Sequence, residues 1–291
     1  MSSPGLSRYT QNGVADSALR LFCEMRKRSK PNWVTIVSIL PACAHSAALE
    51  LGRMIHEYAR TMSLDSHPTV QIAIMGMYAK CGSLLEARRC FDRMSERDKT
   101  VAAWNTMIAA YTSQGLGAES VSAFEAMVRS GLRPDAVSFT ALLSGCSRAG
   151  LVDQGMRCFD DMTPVYSVEA AHEHYACIVD LLGRAGKLER ALIFANQMKI
   201  ESGPSIWGAL LASSRSHQNL KVAEIAANRL FEIEPDNSGN YVLLSNMYAE
   251  SGKWEEVKRL RAVLREKGMK KSPGCSWSEI NGKSSYLFHR G

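Results

Sequence analysis

Several common sequence signals are absent from this chain of 291 residues. No stretch reaches the roughly 18 consecutive apolar residues that a membrane span requires, and residues 1–12 lack the apolar core of a secretory signal. These absences predict a soluble chain with no membrane partner. The eight cysteines form no Cys-x-x-Cys pair, which argues against a zinc knuckle or a thioredoxin motif. Free, mostly buried thiols in a reducing compartment are the simplest interpretation.

Charge of either sign is also modest. The chain has 35 Lys and Arg against 29 Asp and Glu, a formal net charge of +6, and 46% hydrophobic residues, enough to bury a core. Basic charge is concentrated in residues 258–271, which hold one Glu and seven basic residues: Lys258, Arg259, Arg261, Arg265, Lys267, Lys270 and Lys271. This basic patch could bind RNA phosphates or an acidic partner. The alternative is a solvated helix face whose apolar stripe packs inward.

A repeat of about 34 residues runs through the chain. Equivalent turn positions recur at spacings of 32 to 36 residues, at Gly13, Ala47, Gly82, Gly115, Gly150, Gly186, Gln218 and Gly252. In one period, apolar residues at i, i+3, i+4 and i+7 predict a helix, and a second such stripe follows the turn; the stripes are Trp104, Met107, Ile108, Tyr111, then Val121, Phe124, Met127, Val128. Two short helices cannot bury their faces alone, so consecutive pairs must stack.

The predicted fold is therefore an all-α solenoid of helix-turn-helix repeats, a superhelix of either hand. Small residues in the middle of each unit are expected to let neighbouring helices approach closely. These residues are Ala79, Ala110, Gly145, Ala185 and Ala249. After Lys271 the helical pattern stops at Pro273, and Asn281-Gly282 between two short β-like runs predicts a C-terminal hairpin.

Four stretches resemble a known family. They are residues 76–98 (GMYAKCGSLLEARRCFDRMSERD), 102–115 (AAWNTMIAAYTSQG), 172–191 (HEHYACIVDLLGRAGKLERA) and 237–277, which contains GNYVLLSNMYA and KKSPGCSW. The chain resembles a plant pentatricopeptide-repeat protein of the PLS subfamily, whose repeats alternate in length, with C-terminal extension motifs of the E type. The resemblance covers nearly the whole chain from Tyr9 onward.

This resemblance implies a division of the chain into units. Residues 1–32 match a truncated first repeat that has lost its first helix, and 272–291 match the start of a truncated deaminase-like domain. The repeats are 33–67, 68–100, 101–135, 136–171 and 172–203, followed by two extension repeats within 204–271. The organelle-targeting segment that the family normally carries is not visible. The resemblance therefore predicts either a short gene model or a decayed gene.

The resemblance also implies how RNA is recognised. In such repeats the fifth residue of the first helix and the last residue of the unit together select one base of single-stranded RNA. In unit 101–135 this pair is Asn105 and Asp135, a combination that by resemblance prefers a pyrimidine, above all uridine. The same two residues could instead be an ordinary helix-start and turn pair.

The other units offer weaker pairs. Unit 136–171 presents Thr140 with Ala171, and Thr140 is the only further plausible recognition residue. An apolar fifth residue cannot hydrogen-bond a base, so the remaining pairs are expected to contribute little discrimination. These pairs are Val37 with His67, Ile72 with Thr100, and Ala176 with Gly203.

Catalytic chemistry is not expected in this chain. Cytidine deamination needs a zinc-bound water held through His-x-Glu and Cys-x-x-Cys motifs, and the chain ends at Gly291 without them. His172 and His174 lie two residues apart at a helix start and are expected to point to different faces. No metal site, catalytic residue or cofactor is therefore predicted.

The leading hypothesis is a non-catalytic RNA-binding factor for organellar transcript editing. It would hold single-stranded RNA beside a target cytidine and recruit a deaminase or another editing factor through residues 204–271. Its compartment would be the mitochondrion or, alternatively, the chloroplast. One rival is a helical-repeat scaffold that binds only protein, and another is an enzyme whose catalytic domain was lost from this chain.

Overall fold

A computed structural model describes residues 15–198, 202–268, 274–280 and 283–289. The chain divides into two compact units, residues 1–185 and 186–291. The first 14 residues, where the sequence predicted that the first repeat has lost its first helix, lie outside the described residues. Within the described ranges, no helix is both long enough and apolar enough to cross a bilayer.

Ten helices of the first unit are described. They are α1 (Ala15–Arg28), α2 (Trp33–His45), α3 (Leu49–Thr61), α4 (Pro68–Lys80), α5 (Leu84–Arg93), α6 (Val101–Ser113), α7 (Gly117–Arg129), α8 (Ala136–Ala149), α9 (Val152–Asp161) and α10 (His172–Arg184). The helices α2, α4, α6, α8 and α10 pack each against the next and form one layer. The intervening helices form the second layer, so the unit is a stack of helical hairpins, as the repeat predicts.

The second unit contains helical hairpins and ends in strands. Its described helices are α11 (Leu188–Asn196), α12 (Pro204–Ser216), α13 (Leu220–Ile233), α14 (Ser238–Glu250) and α15 (Trp254–Glu266). Strands β1 (Gly274–Ile280) and β2 (Lys283–His289) pair antiparallel, with Gly274 opposite His289 and Ile280 opposite Lys283. The predicted all-α solenoid with a C-terminal β-hairpin is confirmed.

The turn inside each hairpin uses left-handed backbone. Gly82, Gly115 and Gly150 have φ of 79°, 75° and 69°, a region that glycine enters without steric cost. Ala47 and Gln218, at the equivalent positions, take the same conformation with φ of 50° and 52°. Packing of the two flanking helices therefore determines this turn even where the residue has a Cβ that disfavours it.

The core lies between the two layers and follows the predicted stripes. Met107, Ile108 and Met127 are almost completely buried, and Tyr111 and Phe124 are less than a tenth exposed. Gly145 faces Ser120 and Thr112 so closely that a Cβ would overlap their hydroxyls, which confirms its close-approach role.

Some finer expectations are wrong. Ala185 is exposed at the C-cap of α10, so it has no packing role. Helix α15 ends at Glu266, earlier than the basic run suggested. Among the described cysteines, all free, only Cys43 and Cys146 are buried, while Cys23 is exposed and four others are half-buried. The thiols are therefore less buried than the sequence suggested.

Candidate RNA interface

Asn105 and Asp135 lie side by side at one edge of the first unit. Asn105 is the fifth residue of α6 and is 8% exposed. Its Nδ2 donates a hydrogen bond to Asp135 Oδ1 at 3.0 Å. The two members of the predicted recognition pair therefore touch, although α7 separates them in sequence.

Asp135 also caps a helix. It is the N-cap of α8, and its Oδ1 accepts the main-chain N–H of Ser138 at 2.8 Å, while Ser138 Oγ accepts the main-chain N–H of Asp135 at 3.1 Å. This is a capping box, which satisfies otherwise unpaired helix N–H groups. The capping interpretation and the recognition interpretation therefore apply to the same carboxylate.

Ser138 completes a three-residue network. Its Oγ lies 2.6 Å from Asn105 Oδ1 and 2.9 Å from Asp135 Oδ1, so its one proton is shared between these two acceptors, while Asn105 Nδ2 donates to Asp135. Because the carboxylate only accepts, Nδ2 must face Asp135 and Oδ1 must face the Ser138 hydroxyl, which determines which side of the amide carries the oxygen. One N–H and one lone pair of the Asn105 amide remain for a ligand.

The carboxyl of Asp135 is held in its charged form. Partial burial by itself raises its pKa, but hydrogen bonds from the main-chain N–H of Ser138, the Asn105 amide and the Ser138 hydroxyl outweigh that effect. The pKa of Asp135 is therefore lowered from its ordinary value. At neutral pH the group remains an anion that accepts from Asn105.

The pair opens onto a groove of about 580 Å³ formed by α4, α6 and the start of α8. Val137, 61% exposed, and Lys80, exposed at the end of α4, line the same groove. Lys80 forms no ion pair within the described residues. The groove thus combines an oriented amide, an apolar surface and a free cation.

Thr140 is less available than its position suggested. Its hydroxyl donates to the carbonyl of Ala136 at 2.9 Å, an i to i−4 bond within α8. Only its oxygen lone pairs remain for a ligand, and its predicted partner Ala171 brings no polar side chain. Thr140 remains a prediction as an RNA contact.

The weak pair of Val37 and His67 has an aromatic neighbour that the sequence analysis did not predict. His67 stacks on Trp33, with ring centroids 4.5 Å apart and planes inclined by 10°. Trp33, the first residue of α2, is 41% exposed. The aromatic side chain at the first helical position was the only sequence signal for this stack.

The predicted basic patch is partly neutralised. Lys258 pairs with Glu255 and Arg259 with Glu256, both at 2.8 Å. Lys267 Nζ donates to the carbonyl of Pro235 at 2.8 Å. Arg261 and Arg265 are exposed on α15, whereas Lys270 and Lys271 lie outside the described residues. The patch remains a prediction as a binding site.

His174 has a structural role. It is 1% exposed. Its Nδ1 accepts a hydrogen bond from the main-chain N–H of Ala171 at 2.9 Å, and its Nε2 lies 2.9 Å from the main-chain carbonyl oxygen of Ala136. Both ring nitrogens are therefore engaged with main chain, which links α10 to α8. His172 is exposed, and the described ranges contain no cluster of three or more metal-binding side chains.

Family models match the chain along much of its length. A PPR repeat model matches residues 6–29, 73–98 and 137–163, a PPR repeat family model matches 99–148, and an E motif model matches 217–279. The chain belongs to the pentatricopeptide repeat family. Its repeats are followed by an E motif, in agreement with the sequence resemblance.

Curated relatives in Arabidopsis thaliana agree with this assignment. "Pentatricopeptide repeat-containing protein CRR2, chloroplastic" is 46% identical over 278 residues, which are 94% of this chain and 42% of that protein. A pentatricopeptide repeat-containing protein labelled mitochondrial is 40% identical over 98% of this chain and 40% of its own length. This pentatricopeptide repeat chain thus spans about two fifths of the length of these relatives.

Solved structures share the fold. The pentatricopeptide repeat protein PPR10, crystallised in complex with an 18-nt psaJ RNA element, superposes with a TM-score of 0.72 at 16% identity, over 90% of this chain and 38% of that one. A tetratricopeptide repeat protein from Parabacteroides merdae has a TM-score of 0.54 at 14% identity, over 84% of this chain and 96% of that one. Both likenesses concern the fold alone.

Proposed function

We propose that this pentatricopeptide repeat protein binds single-stranded RNA and selects a pyrimidine, above all uridine, through Asn105 and Asp135. The observation that carries the proposal is the orientation of the Asn105 amide by Asp135 and Ser138 at the edge of an open groove. An oriented amide offers one donor and one acceptor, the pattern that the Watson–Crick edge of an unpaired base can meet.

The groove supplies the remaining contacts. The exposed Val137 offers an apolar surface against which the face of the base can lie, and Lys80 can approach a phosphate. Phosphate contacts add affinity without sequence information, whereas the amide contacts the base itself. Since Asn105 is largely buried, its amide is already positioned before RNA arrives, which lowers the entropy cost of binding.

The biological role that we infer is site recognition in organellar C-to-U editing. The chain would hold RNA beside a target cytidine, and residues 204–271 would recruit a deaminase or another editing factor supplied in trans. Relatives labelled chloroplastic or mitochondrial and the E motif at residues 217–279 support an organellar role. The chain itself acts by binding and not by catalysis.

A protein-binding scaffold is the second candidate. It is supported by the fold that this chain shares with a tetratricopeptide repeat protein. The two functions differ in electrostatics, because RNA binding weakens steeply with salt as counterions are released. A protein scaffold would retain its partner when Asn105 loses its amide.

The decisive experiment compares Asn105→Ala with Asn228→Ala. Asn228 is an exposed asparagine on α13 that does not line this groove. Binding to oligouridine and oligoadenosine is measured by fluorescence anisotropy over a range of salt concentrations. We expect Asn105→Ala to lose about 5- to 150-fold of its preference for uridine, the range of one base contact, while Asn228→Ala keeps it. Equal preference in wild type and Asn105→Ala contradicts the proposal.

A further inference from the structure

One face of α15 carries an aromatic residue followed by a row of cations. Trp254, Lys258, Arg261 and Arg265 are spaced by four, three and four residues, which places them on the same side of the helix. With Val257 and Leu264 they line a surface groove of about 610 Å³. Trp254 is 60% exposed. We call these four residues the Trp254 stripe.

The cations of the stripe are available. Lys258 pairs with Glu255, but the two side chains are 72% and 85% exposed, and such surface pairs contribute little. Arg265 Nε donates to the main-chain carbonyl of Arg261 at 3.3 Å. Neither arginine forms an ion pair within residues 202–268. The stripe therefore presents at least two uncompensated positive charges.

The spacing of the stripe suits a linear polyanion. With a rise of about 1.5 Å per residue, successive cations lie about 4.5 to 6 Å apart along the helix axis, and the stripe is about 16 Å long. Charges repeated at that interval beside an exposed indole match the groups of single-stranded RNA, phosphates along a backbone and bases that can stack. Basic grooves with aromatic stacking surfaces are the usual means of binding single strands.

A protein partner fits the stripe less well. The centres of protein interfaces are enriched in tryptophan and arginine, but they are depleted of lysine and more apolar than their surroundings. In this groove Val257 is buried, Leu264 is half-buried, and the exposed area belongs mainly to Trp254 and the basic side chains. The composition favours a polyanion with aromatic bases.

We propose that the Trp254 stripe is a second binding site for single-stranded RNA, in which Trp254 stacks on a base while Lys258, Arg261 and Arg265 bind phosphates. The proposal rests on the RNA-binding function inferred above and adds to it a site on the E-motif part of the chain. Because stacking and phosphate contacts accept any base, this site supplies affinity without sequence choice. Base choice remains with Asn105 and Asp135.

The test uses the full chain and labelled single-stranded RNA of oligouridine or mixed sequence. The variants are Trp254→Ala, Trp254→Phe and the double variant Arg261→Ala/Arg265→Ala. The matched control is Lys221→Ala, an exposed lysine at the start of α13 that does not line this groove. Affinity is measured by anisotropy at several salt concentrations, and helicity by circular dichroism.

Each variant has a specific expected result. Trp254→Ala weakens binding to both RNAs by about 5- to 150-fold, the range of one stacked base, and Trp254→Phe restores most of it. The double arginine variant lowers the slope of log affinity against log salt by about 1.4, since each phosphate contact to a single strand contributes about 0.7. Lys221→Ala leaves the slope nearly unchanged, and every variant keeps the preference for uridine.

Unchanged affinity in Trp254→Ala, together with an unchanged salt slope in the double arginine variant, overturns the proposal. If Trp254→Ala loses helicity, the affinity of Trp254→Phe and the salt slope of the double arginine variant decide whether the second site exists. A loss of uridine preference in Asn105→Ala with no effect of the stripe variants leaves the proposed function standing and removes the second site. A wild-type chain that binds no RNA overturns both.

Discussion

Asp135 Oδ1 accepts hydrogen bonds from Asn105 Nδ2 at 3.0 Å, thirty residues earlier in the chain, and from the main-chain N–H of Ser138 at 2.8 Å, three residues later. One oxygen thereby begins α8 and orients an amide on α6. A substitution at Asp135 consequently changes helix stability and base recognition together, unless the replacement keeps one of the two roles.

Substitutions at Asp135 can separate those roles. Asp135→Ala removes the cap and should lower the free energy of unfolding by about 1 kcal/mol, and it should also reduce the uridine preference. Asp135→Ser keeps an effective N-cap, so stability should change by only a few tenths of a kcal/mol, but the carboxylate that orients Asn105 is gone. Denaturant unfolding and RNA anisotropy measure the two effects. A serine variant with full uridine preference would mean that Asp135 acts only as a cap.

The lowered pKa of Asp135 predicts a dependence of stability on pH. A carboxyl whose pKa is lower in the folded state contributes stability above its unfolded value near 3.8, and that contribution disappears as the pH falls through the folded value. Asp135→Asn keeps a cap acceptor that does not titrate. The free energy of unfolding of the wild type should exceed that of Asp135→Asn at pH 6, and the difference should shrink below pH 3.8. A constant difference across this range would refute the assignment.

Gly117 and Gly208 predict opposite effects of the same substitution. A Cβ on Gly117 would lie 2.8 Å from the carbonyl oxygen of Gly145, where α7 and α8 approach closely, so Gly117→Ala should destabilise the chain by about 1 to 3 kcal/mol. A Cβ on Gly208 in α12 meets nothing within 4 Å. Gly208→Ala should therefore stabilise by up to about 1 kcal/mol through helix propensity. Denaturant unfolding of both variants tests the difference in sign.

Thiol reactivity should follow burial. Desolvation raises the pKa of Cys43 and of Cys146 to about 12, so these side chains remain thiols at pH 8 and react slowly, because the thiolate is the nucleophile. The stability linked to these raised values is complete below about pH 9 and decreases as the pH rises towards 12. Iodoacetamide at pH 8 should label the exposed Cys23 before Cys43 and Cys146, as followed by peptide mass spectrometry. Rapid labelling of Cys146 in the native chain would contradict the described packing.

Much of the fold follows from local patterns. The period of about 34 residues and the i, i+3, i+4, i+7 stripe around Met107 predict paired helices because such helices have only one apolar face to bury. The same reasoning fails for Ala185, whose size suits a close helix contact but which lies at a helix end. A small residue permits a close contact between helices, but only the fold determines whether another helix packs at that position.

The candidate site was likewise predicted only in part from the sequence. The family resemblance indicated Asn105 and Asp135 as a recognition pair, by their positions within the repeat. It did not indicate that Ser138 joins them or that both ring nitrogens of His174 are engaged by main chain, since these contacts join residues brought together only by stacking.

By itself, the amino-acid sequence determined the repeat, the helices and the family of this chain, because these depend on spacing along a single segment. Only the tertiary structure decided which way the Asn105 amide faces and which cations of α15 lack a carboxylate partner. Both depend on the distance between atoms that packing brings together, and hydrogen bonds and ion pairs form only within a few ångströms.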